Sequence, residues 1–147
     1  MTIRRLSAAT LCAGAALVAW TTPGAAADTS PPITVGLTVT PATAAVGDQV
    51  TVVATLTNNT STSTSAALGI ENPEYAAQRI TAVGGHGCTP RNLQKLIYCG
   101  NPALGPGATA SITVTLTPTA TGTDDFTAYG RITNVNDVYA YATLTVS

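Results

Sequence analysis

Any chemistry in this chain has to come from few residues. It has one histidine, His86, and three cysteines, Cys12, Cys88 and Cys99. The densest group is His86, Cys88 and Cys99, with the cations Arg91 and Lys95 between the two cysteines. Thiolates beside an imidazole are zinc or redox chemistry. If the two cysteines are oxidised, His86 lacks partners and is an ordinary loop residue among glycines. The carboxylates come as doublets, Glu71 with Glu74 and Asp124 with Asp125. Glycoside hydrolysis needs two carboxylates flanking a sugar. These doublets are spaced as turn and strand-end residues with no aromatic groove beside them, so they read as solvated acids. Calcium at Asp124, Asp125 and Asp137 would match no loop signature. No nucleophile motif surrounds any serine or cysteine. The expectation is no enzyme, no metal and no cofactor.

The better candidate is a surface made by Tyr129, Arg131, Tyr139 and Tyr141. If the last two strands form a hairpin centred on Val135, Tyr129 opposes Tyr141 and Arg131 opposes Tyr139, all on the polar face. A register shift of two keeps them on that face. Tyrosine and arginine are the residues of binding hot spots, and a tyrosine platform also suits sugar rings or a peptide. The competing explanation is cross-strand pairing, which stabilises an exposed sheet by about 0.2–1 kcal/mol per pair without any ligand.

The N-terminus bears on compartment. Arg4 and Arg5 precede an apolar block, Leu6 to Trp20, and the small-residue exit Pro23-Gly24-Ala25-Ala26-Ala27. A basic start, an apolar middle and a small-residue end predict a signal peptide over residues 1–27, with 28–32 a short linker and 33–147 one folded domain. Without Arg4 and Arg5, four cations face seven acids, a net charge of −3. Such a domain has no electrostatic footprint for nucleic acid or an anionic membrane, and the chain beyond the leader has no membrane span. Losing Cys12 leaves an even pair in an exported protein, which predicts a Cys88–Cys99 disulfide.

The elements that must hold these residues are strands. Ile33, Val35, Leu37 and Val39 alternate with Thr34, Gly36, Thr38 and Thr40, the period of a half-buried strand. Pro41 ends it. Val50, Val52, Ala54 and Leu56 face inward in the next. Asn58 to Ser65 reads as a flexible polar loop with Asn-x-Thr/Ser acceptor patterns at Asn58 and Asn59. Short strands follow at Ala66–Ile70, Ile80–Val83 and Gln94–Cys99, with residues 84–87 a loop into Cys88. Past the Leu104-Gly105-Pro106-Gly107 turn, Ala108, Ala110, Ile112, Val114 and Leu116 alternate without error. Phe126, Ala128, Gly130 and Ile132, then Val138, Ala140, Ala142, Leu144 and Val146, mark the last two strands, with Asn134–Asp137 as the turn. Seven or eight short strands without a helix predict an all-β, immunoglobulin-like antiparallel sandwich.

Several of these stretches resemble a known family. Leu37-Thr38-Val39-Thr40-Pro41, Val46-Gly47-Asp48-Gln49-Val50, Leu56-Thr57-Asn58-Asn59, Gly87-Cys88-Thr89, Tyr98-Cys99-Gly100 and Leu104-Gly105-Pro106-Gly107-Ala108-Thr109-Ala110 are similar to the conserved-repeat Ig-like domains of bacterial envelope proteins, domain of unknown function 11. The resemblance implies a secreted or surface-displayed sandwich serving as a spacer, stalk or adhesion module. Those domains usually come in tandem, and this chain has room for one. Its end shows no sorting signal or second apolar anchor, which favours a free or non-covalently held secreted domain. The expected partner is a protein or glycan of the cell envelope. An alternative is a small-molecule carrier: the short Cys88–Cys99 span in a small exported sandwich also resembles the apoproteins of enediyne chromoproteins. Those have a second disulfide that this chain cannot make.

Overall fold

The computed structural model describes residues 30–72, 77–85, 87–91 and 96–147. The expected leader, Glu74, His86 and Lys95 lie outside the described residues. Among the described residues ten strands follow in chain order: β1 Ile33–Thr40, β2 Thr43–Ala44, β3 Val50–Asn58, β4 Thr64–Glu71, β5 Gln78–Gly84, β6 Cys88–Arg91, β7 Leu96–Leu104, β8 Thr109–Pro118, β9 Gly122–Ile132 and β10 Val138–Val146. They form two sheets, β1-β3-β8-β5 and β2-β10-β9-β4-β7-β6. This is the sandwich that the alternating pattern predicts, with ten described strands in place of seven or eight and one parallel pair, β2 with β10. Val50, Val52, Ala54, Leu56, Ile112 and Leu116 of one sheet bury against Leu68, Ile70, Ile97, Phe126, Ala128 and Leu144 of the other.

The two outer faces differ in chemistry. On the four-stranded sheet, cross-strand rows are mostly hydroxyl, such as Thr34–Thr57–Thr109 and Thr40–Thr51–Thr115, with Val53 and the exposed Arg79 among them. Thr57 and Thr109 hydrogen-bond to each other at 2.8 Å. Among the described residues, the aromatic side chains on the outside lie on the six-stranded sheet.

The structure corrects the sequence reading at several places. Cys88–Arg91, given no element in the sequence reading, is a strand, β6, paired with β7 so that Cys88 stands directly opposite Cys99. Pro90 is tolerated there because β6 is an edge, where one side of the strand has no ladder to complete. The strand expected over Gln94–Cys99 is described from Leu96, its first two residues lying outside the described residues, and runs on past Cys99 to Leu104. Pro102 falls where the β4–β7 register shifts between Thr64–Leu104 and Ala66–Asn101, and this bulge leaves room for a residue that cannot donate.

The Asn58–Ser65 segment is a loop of only 59–63, built around Asn58, which is fully buried. Its amide nitrogen donates to the carbonyls of Thr62, Leu104 and Gly105 at 2.9, 3.0 and 3.2 Å. Its oxygen accepts from the Thr60 amide at 3.0 Å and the Thr60 hydroxyl at 2.6 Å. A side chain spent this way is closed to glycosylation in the folded domain.

Candidate binding face

The disulfide links Cys88 and Cys99, with Cα atoms 4.0 Å apart. It joins two strands of one sheet at its edge rather than stapling the middle of the sandwich, because its partners are cross-strand neighbours. Cys99 is buried with the core and Cys88 packs against it. Gly85, at φ 130°, lets the chain pass: a Cβ there would meet the Cys88 sulfur at 2.5 Å and the Ser111 carbonyl at 2.7 Å. The bond closes the edge of the sheet whose outer face carries the tyrosines.

Inward Ile97, Cys99, Leu68, Ile70, Phe126 and Ala128 fix the opposite phase as the outer face. On it, Tyr139 of β10, Tyr129 of β9, Gly69 of β4, Tyr98 of β7 and Thr89 of β6 are successive cross-strand partners and form one row. The row beside it carries Arg131, Ala67 and Gly100. On the other side, Tyr141, Thr127, Glu71 and Leu96 line up. The hairpin register is therefore two residues from the one expected: Tyr129 opposes Tyr139, and Tyr141 opposes Thr127. The cause is the turn. The Val135 amide donates to the Ile132 carbonyl at 3.2 Å and Asn134 takes φ 63°, so the hairpin centres on Asn134. Tyr129, Arg131, Tyr139 and Tyr141 still share one face, as two-residue shifts must leave them.

Their surroundings are unequal. Tyr141 and Tyr139 are 74% and 51% exposed. Tyr139 lies near Asp137, with its hydroxyl 3.5 Å from the carboxylate. Tyr129 is half-buried because its ring lies flat across Gly69, where a Cβ would collide with Cε1, Cζ and the hydroxyl. Burial first, then the nearby Glu71 and Tyr98, push its phenol above the usual tyrosine range, and Arg131 partly offsets this. It is a neutral phenol at physiological pH.

Past the Tyr129–Tyr98 wall the face dips into a groove of about 480 Å³. Ala67 and Gly100 supply a floor with little side chain, and Tyr98, Arg131, Ser65 and Thr133 stand around it. The β4–β7 bulge lies at its far end. No side-chain hydrogen bond or ion pair engages Arg131 among the described residues. Sequence reasoning passed over this groove and its tyrosine, Tyr98. Two signals were present: Tyr98 sits between two inward residues, and the outward phase of β4 reads Ser65, Ala67, Gly69.

Among the described residues the acids do not assemble into a site. Asp124 shares the inward phase of Phe126 and is 4% exposed, which corrects its reading as a solvated acid. Asp125 points outward and accepts from the Thr143 hydroxyl at 2.8 Å. Asp137 lies past the opposite end of β9. Among the described residues no group of three or more His, Cys, Asp or Glu could hold a metal, and no helix is long and apolar enough to cross a membrane. Between the sheets, a cavity beside Val52, Asn72 and Phe126 holds about 10 Å³, roughly the room of one water and far short of a carried chromophore.

The sequence matches no protein-family model and no curated protein. Its fold is shared with solved structures. The N-terminal domain of the Streptococcus gordonii adhesin Sgo0707 superposes with a TM-score of 0.58 at 12% identity over 77% of this chain, which spans 32% of that one. A CARDB domain from Pyrococcus furiosus, solved with two metal ions, gives 0.53 at 16%, over 78% of this chain and 91% of that one. A type I cohesin in a cohesin–dockerin complex from Clostridium thermocellum gives 0.53 at 12%, over 78% and 99%. At these identities the likeness is one of fold: this chain is an Ig-like β-sandwich.

Proposed function

We propose that this protein is an exported, non-catalytic binding module. It acts outside the cell or at the envelope, and contacts an envelope protein or glycan through the outer face of its six-stranded sheet. The observation that carries the reading is the tyrosine row beside an arginine-rimmed groove, on the face opposite a threonine-rich sheet. Tyrosines give large contact area at small entropic cost, and arginine gives directional charge, the composition of interface anchors. A disulfide suits an oxidising compartment. The leader-like residues 1–27 and the resemblance to conserved-repeat envelope domains point the same way. Cohesin, in the Clostridium structure, is a sandwich of this fold that stands in a protein complex.

Retention of envelope material by immobilised protein tests the reading. Tyr139→Ala with Tyr141→Ala removes the two exposed rings and spares Tyr129, whose ring is part of the sheet's packing. The double variant is expected to fold and to lose retention. Undiminished retention by a folded double variant would end the proposal.

A further inference from the structure

The groove beside the tyrosine row has chemistry of its own. Its floor lies on β4 at Ala66 and Ala67, which pair with Asn101 and Gly100 of β7 on one side and with Ile132 and Arg131 of β9 on the other. Ser65 completes the end of the strand by accepting from the Thr133 amide at 3.2 Å. The backbone groups of the floor are thus engaged on both sides. An extended peptide laid there would find no edge to pair with, so strand addition is closed. Recognition has to come from side chains: the hydroxyls of Ser65 and Thr133, the phenol of Tyr98 and the guanidinium of Arg131.

That set is rich in hydroxyl and phenol groups, with one cation and a flat, small-residue floor. A pyranose offers the complement, with an apolar C–H face for the floor and the Tyr98 ring and hydroxyls for the rim. The guanidinium adds a requirement. Its planar fork matches a carboxylate through two parallel hydrogen bonds, and no side chain among the described residues occupies it. Among the described residues Arg131 is the one cation lining the groove, and Asp137 lies beside Tyr139 at the hairpin end next to it, so the site favours one carboxylate per bound unit over a dense polyanion. At about 480 Å³ the groove falls in the range of small-ligand sites.

We propose that the groove binds a single uronic-acid unit of an extracellular polysaccharide, its carboxylate paired with Arg131 and its ring seated on Ala67 and Gly100 against Tyr98. This rests on the reading of the tyrosine face as the binding surface and names the ligand class for it.

The test is an NMR titration of the purified protein. The probes are glucuronic, galacturonic and mannuronic acid, and disaccharides joining one such unit to a neutral sugar, each beside its carboxyl-reduced counterpart. The expected result is saturable shifts at Ala67, Gly100 and Arg131, with a disaccharide Kd on the order of 1 mM. The neutral counterparts and Arg131→Ala should each bind at least about tenfold more weakly, with Arg131→Lys between them. Any of three results overturns the proposal: no uronate shifts the groove residues, acid and neutral sugars bind alike, or Arg131→Ala binds as well as the parent. A short peptide with a free carboxylate that competes equally at the groove also overturns it. The envelope-retention experiment with Tyr139→Ala/Tyr141→Ala reads the face independently, so a failed groove and a failed face give different results.

Discussion

Tyr129 is held less by its own strand than by the absence of a side chain on the next one. Its ring occupies the space above Gly69, so Gly69→Ala must lift it. The ring can swing about its side-chain torsions, so the expected cost is the lost aromatic packing, about 1 kcal/mol, rather than a failed fold. Urea midpoints of Gly69→Ala, Tyr129→Ala and the pair would show it, with the double variant losing less than the sum. The same residue predicts alkaline behaviour. Burial first, then Glu71 and Tyr98, raise its phenol, so the native state holds that proton more tightly than the unfolded chain. Its contribution is complete below the unfolded value of about 10 and is lost as pH climbs through the native one. Tyr129→Phe should remove this share of the fall in stability above about pH 10, read from urea midpoints across that range.

At the scale of elements, two small devices hold the ends of the face. The Cys88–Cys99 bond ties edge strand β6 to β7 across a sequence separation of 11. Replacing both cysteines by serine should lower stability by about 3 kcal/mol in the chain-entropy account. Alkylation of the unfolded, unreduced protein should leave both positions unmodified. Asn58 ties the β3 exit to the β7–β8 turn through Leu104 and Gly105. Asn58→Ala leaves those carbonyls short of a donor and should cost roughly 2–3 kcal/mol, measured by thermal or urea unfolding. These devices also show what the sequence could express. Strands β3, β8, β9 and β10 were legible because their alternation is uninterrupted and one face is buried. β6 and the end of β7 were not, because Pro90, Gly100 and Pro102 break local propensity and are tolerated only by an edge and a bulge. Asn58 reads as loop chemistry from its neighbours, and only the long-range carbonyls of the β7–β8 turn make it a buried anchor. The tyrosine face followed from period two, but its register depended on which asparagine takes the left-handed conformation.

For the whole molecule, the sandwich separates its two exteriors by chemistry. One sheet shows rows of threonine, whose hydroxyls partly satisfy one another; the other shows tyrosines, Arg131 and a groove. Among the described residues the sandwich puts its exposed aromatic area, with Arg131 and a groove, on one side, which presents a direction for contact. The most direct measurement is amide chemical-shift mapping of the labelled protein during titration with solubilised envelope glycans and proteins. The account predicts that the largest shifts fall on Ala67, Gly69, Tyr98, Gly100, Tyr129, Arg131, Tyr139 and Tyr141. Shifts centred instead on Thr38, Val53 and Thr113 of the threonine sheet would contradict it.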